Sequence, residues 1–143
     1  MLKLILLFKI LIFCFIQNIY SQTNSDFSSA FKDSLLIKIE SSETDSSKCE
    51  LAIYYYKIYY DSIFSSELIN YAIDKALISN NLYYENESYN QVARKILEKH
   101  GVNNEFHIWK EKIKDVNIRQ NDYYTYFAIK EAEICWYIEK GKY

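Results

Sequence analysis

The chain has 143 residues and a mass of 17.1 kDa; 50% of it is hydrophobic and 25% charged, with 15 Tyr, 8 Phe, only 2 Gly and no Pro. That balance excludes disordered and collagen-like chains, and the scarcity of Pro and Gly excludes turn-dense sandwiches and glycine-rich phosphate loops. A formal charge of −2 lacks the basic footprint of a nucleic-acid binder.

Residues 1–21 read as a secretory signal peptide. Lys3 supplies the positive start, Leu4 to Ile16 is apolar apart from Lys9, and Gln17 and Asn18 end the run. Ser21 is the small residue a signal peptidase requires, which places cleavage between Ser21 and Gln22. The apolar run falls well short of the ~20 residues that span a bilayer, so no stable membrane insertion is expected after cleavage. Cys14 does not make a lipoprotein signal, because Phe13 stands where a small residue is required. The protein is expected to be exported, periplasmic or extracellular, and its Ser21-Gln22 ending resembles bacterial exported proteins. The remainder divides into an N-terminal helix with a polar linker, 22–46, and a helical domain, 47–143.

Phe27, Ala30, Phe31 and Leu35 fall at helical spacing, with Ser25 or Asp26 as cap. Ser47-x-x-Glu50 reads as a capping box opening a second helix, with Leu51, Tyr54, Tyr55, Ile58 and Tyr59 on one face. After a break near Asp61 and Ser62, a third helix carries Ile69, Ala72, Ile73, Ala76 and Leu77 and ends at Asn80 and Asn81. The fourth is the clearest: Tyr89, Val92, Ala93, Ile96, Leu97 and His100 share one side, and Gly101 stops it. Asn103 or Asn104 caps a fifth with Phe106, Trp109, Ile113 and Val116. Asn121 is expected to cap a sixth, with Tyr124, Phe127, Ala128, Ile134, Cys135 and Ile138 in its apolar surface and Gly141 after it. No segment shows sustained two-residue alternation. The expected fold is all-α: about six helices in antiparallel hairpins. Helix starts near Ser47, Asn86 and Asn121 recur at the interval of helix-hairpin arrays.

Chemistry-bearing constellations are few. Cys49 and Cys135 can pair in an oxidising compartment, or sit apart as two buried thiols, and both readings stay open. His100 and His107 lack metal-ligand spacing, so no metal or other cofactor is expected. His100 suits a helix C-terminus, Glu85 and Glu87 suit a helix start, and Glu131 and Glu133 read as solvated surface. No nucleophile elbow, P-loop or dinucleotide fingerprint is present, so the chain is not expected to be an enzyme. Asn86-Glu87-Ser88 is a glycosylation acceptor pattern, relevant only in a eukaryotic secretory route.

The tyrosines supply the candidate site. Tyr54, Tyr55, Tyr56, Tyr59 and Tyr60 wrap too far round a helix to be wholly buried, and Tyr combines contact area with a hydrogen-bonding tip. Tyr55, Tyr56, Tyr59 and Tyr60 are the binding candidates. The competing reading makes Tyr54, Tyr55 and Tyr59 core and leaves Tyr56 and Tyr60 as wet surface. A chain this rich in Ile, Lys, Asn and Tyr has the look of AT-rich coding, so Tyr enrichment alone does not make a site.

Two stretches resemble tetratricopeptide repeats. Ile69, Ile73, Ala76 and Leu77, in the run Asp74 to Asn80, are similar to the second helix of such a repeat, where small residues let helices approach. The run Trp136 to Tyr143, with Gly141 and Tyr143, looks like the end of a first helix and its turn. The early Gly of the family's first helix and its closing Pro have no counterpart here. The resemblance implies a protein-binding scaffold, and the last helix without its hairpin partner fits a piece of a larger exported repeat protein. The expected function is therefore a non-catalytic, exported interaction domain that takes a protein or peptide on a tyrosine-lined face. The alternative is a small secreted helical bundle acting as an inhibitor or immunity-type partner, and a carbohydrate-binding module comes third.

Overall fold

The computed structural model describes residues 29–142, so the expected signal peptide and the caps at Ser25 or Asp26 lie outside the described residues. The chain divides into two compact units at Ser41 and Ser42. In the first unit, residues 29–40 form helix α1, closed by Ser41 Oγ donating to the Lys38 carbonyl at 2.7 Å. The second unit holds α2 (Asp45–Ile58), α3 (Ser65–Ile78), α4 (Leu82–His100), α5 (Asn104–Gln120) and α6 (Tyr124–Glu139). Among the described residues there is no strand. The fold is all-α, a repeat-like array of antiparallel hairpins.

Each helix of the second unit packs on the next, and α2–α4 and α4–α6 also touch. Among the described residues α3 and α5 do not meet, and α2 reaches neither α5 nor α6. Thus α2, α4 and α6 lie side by side as one layer, with α3 and α5 as the second.

The connections follow from residues that accept a left-handed backbone. Asn80 (φ 51°), Gly101 (φ 73°) and Asn121 (φ 54°) sit after α3, α4 and α5. After α3 and α5 the next amide reaches back over the helix end: Asn81 N–H donates to the Ala76 carbonyl at 2.9 Å, and Asp122 N–H to that of Asn117 at 3.1 Å. Asn81 and Asn103 then open α4 and α5, accepting from the Tyr84 and Phe106 amides at 3.2 and 2.8 Å.

Several sequence expectations need correction here. The capping box lies one turn earlier than Ser47-x-x-Glu50. Thr44 Oγ1 accepts from the Ser47 amide at 3.1 Å, and Ser47 Oγ accepts from the Thr44 amide at 3.3 Å, so Ser47 closes the box rather than opening it. The unit therefore begins ahead of residue 47. Second, α2 buries Cys49, Ala52, Ile53, Tyr55 and Tyr56, while Tyr54 and Ile58 face out. Small residues decide this: Cys49 lies against the Ala72 carbonyl of α3 at 3.5 Å, and Ala72 and Ala76 let the two helices close up.

Third, α4 begins at Leu82 rather than near Asn86, because Asn81 supplies the cap. Fourth, Asn121 is the left-handed stop of α5 and does not cap α6; Asp122 Oδ1 accepts from the Tyr124 amide at 3.0 Å instead. The apolar surface expected for α6 is its exposed side. Only Ile129 and Glu133 of that helix are buried, so Glu133 is not solvated surface.

The core of the α4–α6 half gathers Tyr89, Ala93, Ile96, Leu97, Phe106, Ile113, Val116 and Ile129. Polar seams run beside it. Asn117, fully buried, donates to Asn86 Oδ1 at 3.0 Å and to the Ile113 carbonyl at 2.7 Å, and accepts from the Tyr126 amide at 3.3 Å. Asn86 in turn donates to Gln120 and to Thr125 at 3.2 and 3.1 Å, so one amide cluster locks α4, α5 and α6. Asn86 is buried in that cluster, which closes it to glycan attachment in the folded chain.

Candidate functional site

The tyrosine run splits by direction. Tyr56 is 1% exposed, with its hydroxyl aimed at the Gln91 carbonyl of α4 at 3.4 Å, and Tyr55 is also buried. Tyr59 is half-buried, its ring 6.4 Å from that of Tyr55 and 5.7 Å from that of Phe64. Tyr60, at the end of α2, donates to Glu98 Oε2 of α4 at 2.8 Å. Burial, then the Glu98 carboxylate, pushes the Tyr60 phenol well above its ordinary range. Lys95 completes this clamp: it donates to the Tyr60 carbonyl at 2.7 Å and to Ser65 Oγ at 2.6 Å, and lies 4.7 Å from the Tyr60 ring. Burial and the neighbouring Lys99 charge hold the Lys95 ammonium below its usual value. Lys99 closes the outer edge on Asp61 at 2.7 Å.

Of the four binding candidates, then, Tyr55 and Tyr56 present little ring surface. Tyr59 is half-buried against other rings, and Tyr60 borders a groove. That groove lies in the α2–α4–α6 layer, has a volume of about 590 Å³, and is lined by Tyr60, Arg94, Glu98, Cys135, Trp136 and Glu139 among others. A second hollow of about 270 Å³ lies between α2 and the start of α4. Its rings are Tyr54, Tyr83 and Tyr84, with Tyr54 and Tyr83 well exposed.

The two hollows share one strip of α4. Tyr84, Glu87, Gln91, Arg94 and Glu98 follow each other at helical three-and-four spacing. Glu87 holds Lys57 of α2 at 2.8 Å and accepts from Gln91 at 2.9 Å; Arg94 Nε donates to Asn90 at 3.2 Å. These are interleaved charges of both signs with rings between them, on helices fixed from behind by the core. Such a surface can hold a peptide backbone and side chains by hydrogen bonds and ring contacts.

Tyr54, Tyr83 and Tyr84 were not among the binding candidates. Tyr54 stands exposed on the side of α2 expected to be buried, and Tyr83 and Tyr84 lie in the first turn of α4, ahead of the start expected near Asn86. His100 lies beside a separate groove of about 290 Å³ between α3, α4 and α5, with Glu105 and Trp109. His107 Nδ1 is 3.8 Å from the buried Glu133. No group of three metal-ligating side chains occurs among the described residues, and no described helix is long and apolar enough to cross a membrane.

Cys49 and Cys135 are both free. A disulfide needs Cα atoms within about 7 Å, and they stand on α2 and α6, which do not touch. They are two separate thiols in this structure, only one of them buried. Burial, then the nearby Asp45 charge, pushes the Cys49 thiol up to about 11, whereas Cys135 is exposed. A thiol reagent at about pH 8 is expected to modify Cys135 in the folded chain and Cys49 only after denaturation, as read by mass spectrometry of the labelled peptides.

No family model, curated protein or solved structure matches the chain.

Proposed function

We propose that the protein is an exported, non-catalytic interaction domain whose α2–α4–α6 face binds a segment of a partner protein. The helix-contact order carries this reading. Among the described helices of the second unit, packing runs only between a helix and its next or next-but-one neighbour, which leaves the α2–α4–α6 face uncovered by any element of that unit. The same order supports the tetratricopeptide-like resemblance, in which alternate helices form one layer. It supports an array over the closed bundle that an inhibitor or immunity-type protein would use, because such a bundle brings sequence-distant helices together. Rings at Tyr54, Tyr60, Tyr83 and Tyr84 supply contact area, and the Lys57, Glu87, Arg94 and Glu98 charges supply orientation.

Panning a random-peptide library on the full chain tests this. Enriched peptides are expected to shift the amide resonances of Tyr54, Glu87 and Arg94. Their affinity is expected to fall about tenfold in Tyr54→Ser and in Arg94→Glu, and to stay unchanged in Ile118→Ser on α5. Absence of enrichment, or peptides that sense Ile118→Ser and not the other two, would refute the reading.

A further inference from the structure

The hollow between α2 and the start of α4 differs in chemistry from the groove beside Tyr60. Its α2 wall includes Glu50, Tyr54 and Lys57, stacked at four- and three-residue spacing on one stripe of the helix. Its α4 wall is Tyr83, Tyr84 and Glu87, in a first turn that Asn81 fixes by accepting from the Tyr84 amide at 3.2 Å. The Tyr83 and Tyr84 rings stand 5.1 Å apart at 75°, two surfaces at nearly a right angle. Tyr54 has its ring contact with Tyr55, at 5.4 Å, and touches neither α4 ring among the described residues. The three rings thus border open space without closing on one another.

The charges around that space are unequal. Among the described residues Lys57 is the one cation lining it, and Glu87 holds that ammonium at 2.8 Å, over none of the three rings. Glu50 is left over. It has no ion pair among the described residues and accepts only from the Tyr84 hydroxyl, at a long 3.4 Å. Burial, then the Glu50 charge, raises the Tyr84 phenol above its ordinary range, so the carboxylate and the ring stand close without a cation between them. A surplus carboxylate beside ring faces, which carry the negative side of the aromatic quadrupole, favours a cationic guest. The acceptors narrow the kind of cation. Carboxylate and phenol oxygens take N–H bonds, which a primary ammonium offers and a quaternary one does not. A lysine stem can also lie along ring surface while its head reaches the carboxylate.

We propose that this hollow is a box for a primary alkylammonium group, and that a lysine of the bound partner segment fills it, its stem along Tyr54, Tyr83 and Tyr84 and its ammonium on Glu50. That lysine belongs to the segment proposed above for the same face, so the assignment rests on that reading and names a residue the segment brings.

The test is titration of the full chain with Nα-acetyl-lysine methylamide, read from the ring and amide resonances of Tyr54, Tyr83 and Tyr84. Saturable shifts are expected at millimolar probe. The neutral Nε-acetyl form is expected to bind at least about tenfold more weakly, and the Nε-trimethyl form about threefold more weakly, having lost its N–H donors. Glu50→Gln and Tyr83→Leu are each expected to weaken the lysine probe about fivefold. The helical circular dichroism is expected to stay unchanged, since both side chains are exposed. Lys57→Gln is expected to strengthen binding about twofold by freeing Glu87. No saturable shift, equal binding of the Nε-acetyl form, or indifference to both weakening substitutions would overturn the proposal. Trimethyl binding as tight as that of the free ammonium would overturn the lysine and make a quaternary ammonium the guest. The two readings fail separately. Library peptides that bind without a basic residue, together with a silent lysine probe, overturn the box and leave the peptide-binding face standing. A saturating probe with no enriched peptide overturns that face, and with it the lysine's source, and leaves the box.

Discussion

Gly101→Ala is expected to lower stability by about 4 kcal/mol, moving the thermal midpoint by roughly 20 °C, with circular dichroism as the readout. Two independent penalties meet at this residue. Its backbone, at φ 73° and ψ −167°, occupies a region that only glycine enters cheaply, and forcing Ala there costs about 1–3 kcal/mol. An added Cβ would also stand 2.3 Å from Cζ2 and 2.8 Å from Cε2 of Trp136. That ring cannot retreat freely, because it packs on the α4–α5–α6 core and has Lys142 5.0 Å from its face. The connection after α4 is therefore where α6 presses onto the turn. Gly141 supplies the control: its φ is also positive, at 61°, but nothing lies within 4 Å of an added Cβ. Gly141→Ala is expected to cost only the backbone share, about 1 kcal/mol. In a Trp136→Leu background the Gly101→Ala penalty is expected to fall by about half. If it stays whole, the close ring approach is not what demands glycine.

Much of this architecture is legible in the sequence, and the reasons differ from helix to helix. In α4 the row Tyr89, Ala93, Ile96 and Leu97 is apolar on one side only, so periodicity identifies the buried face and Gly101 its end, while the cap at Asn81 lies ahead of the start expected near Asn86. In α2 and α6 nearly every side is apolar or aromatic, and periodicity cannot choose between them. The choice is made by partners. Ala72 and Ala76 on α3 select Cys49, Ala52 and Tyr56, and Lys110 and Asn117 on α5 select the Glu133 side of α6. Such selection depends on residues nine to twenty-three positions away in the chain.

The same limit governs the candidate site. A cluster of rings announces itself in Tyr54 to Tyr60, but which rings stay open depends on how α2 is rolled against α3 and α4. That roll makes Tyr56 an internal clamp and leaves Tyr54 on the face beside Tyr83 and Tyr84. Buried polar groups were the least visible feature. Glu85, Asn86, Asn117 and Glu133 look like surface residues until the opposing Arg119, Gln120 and Lys110 are in place. Because these pairs join α5 to α4 and α6, they also set where the grooved layer can open.

The pair Lys110–Glu133 carries the second large effect. Lys110 donates to both Glu133 oxygens, at 2.9 and 2.8 Å, and the two side chains retain only 14% and 11% of their exposure. At that depth a charge left alone is far more expensive than the pair is favourable. Glu133→Leu is expected to cost about 3–4 kcal/mol, since it strands the Lys110 ammonium over the Phe106 ring, 5.7 Å away, with no carboxylate to answer it. Lys110→Met is expected to cost a similar amount by stranding the carboxylate, with His107 at 3.8 Å as a partial substitute. The two together are expected to cost under about 1 kcal/mol, because apolar groups of similar volume then fill the seam. Urea unfolding of the four chains closes the cycle, and additive losses would show that the pair is solvated rather than buried. The consequence reaches the grooved face through α6. That helix carries one wall of the groove beside Tyr60, and this seam helps fix its roll on α5. In Glu133→Leu, amide exchange along α6 is expected to quicken while α2 and α3 keep their protection. Peptide binding at the proposed tyrosine-lined face is expected to weaken in that variant and to return in the double one.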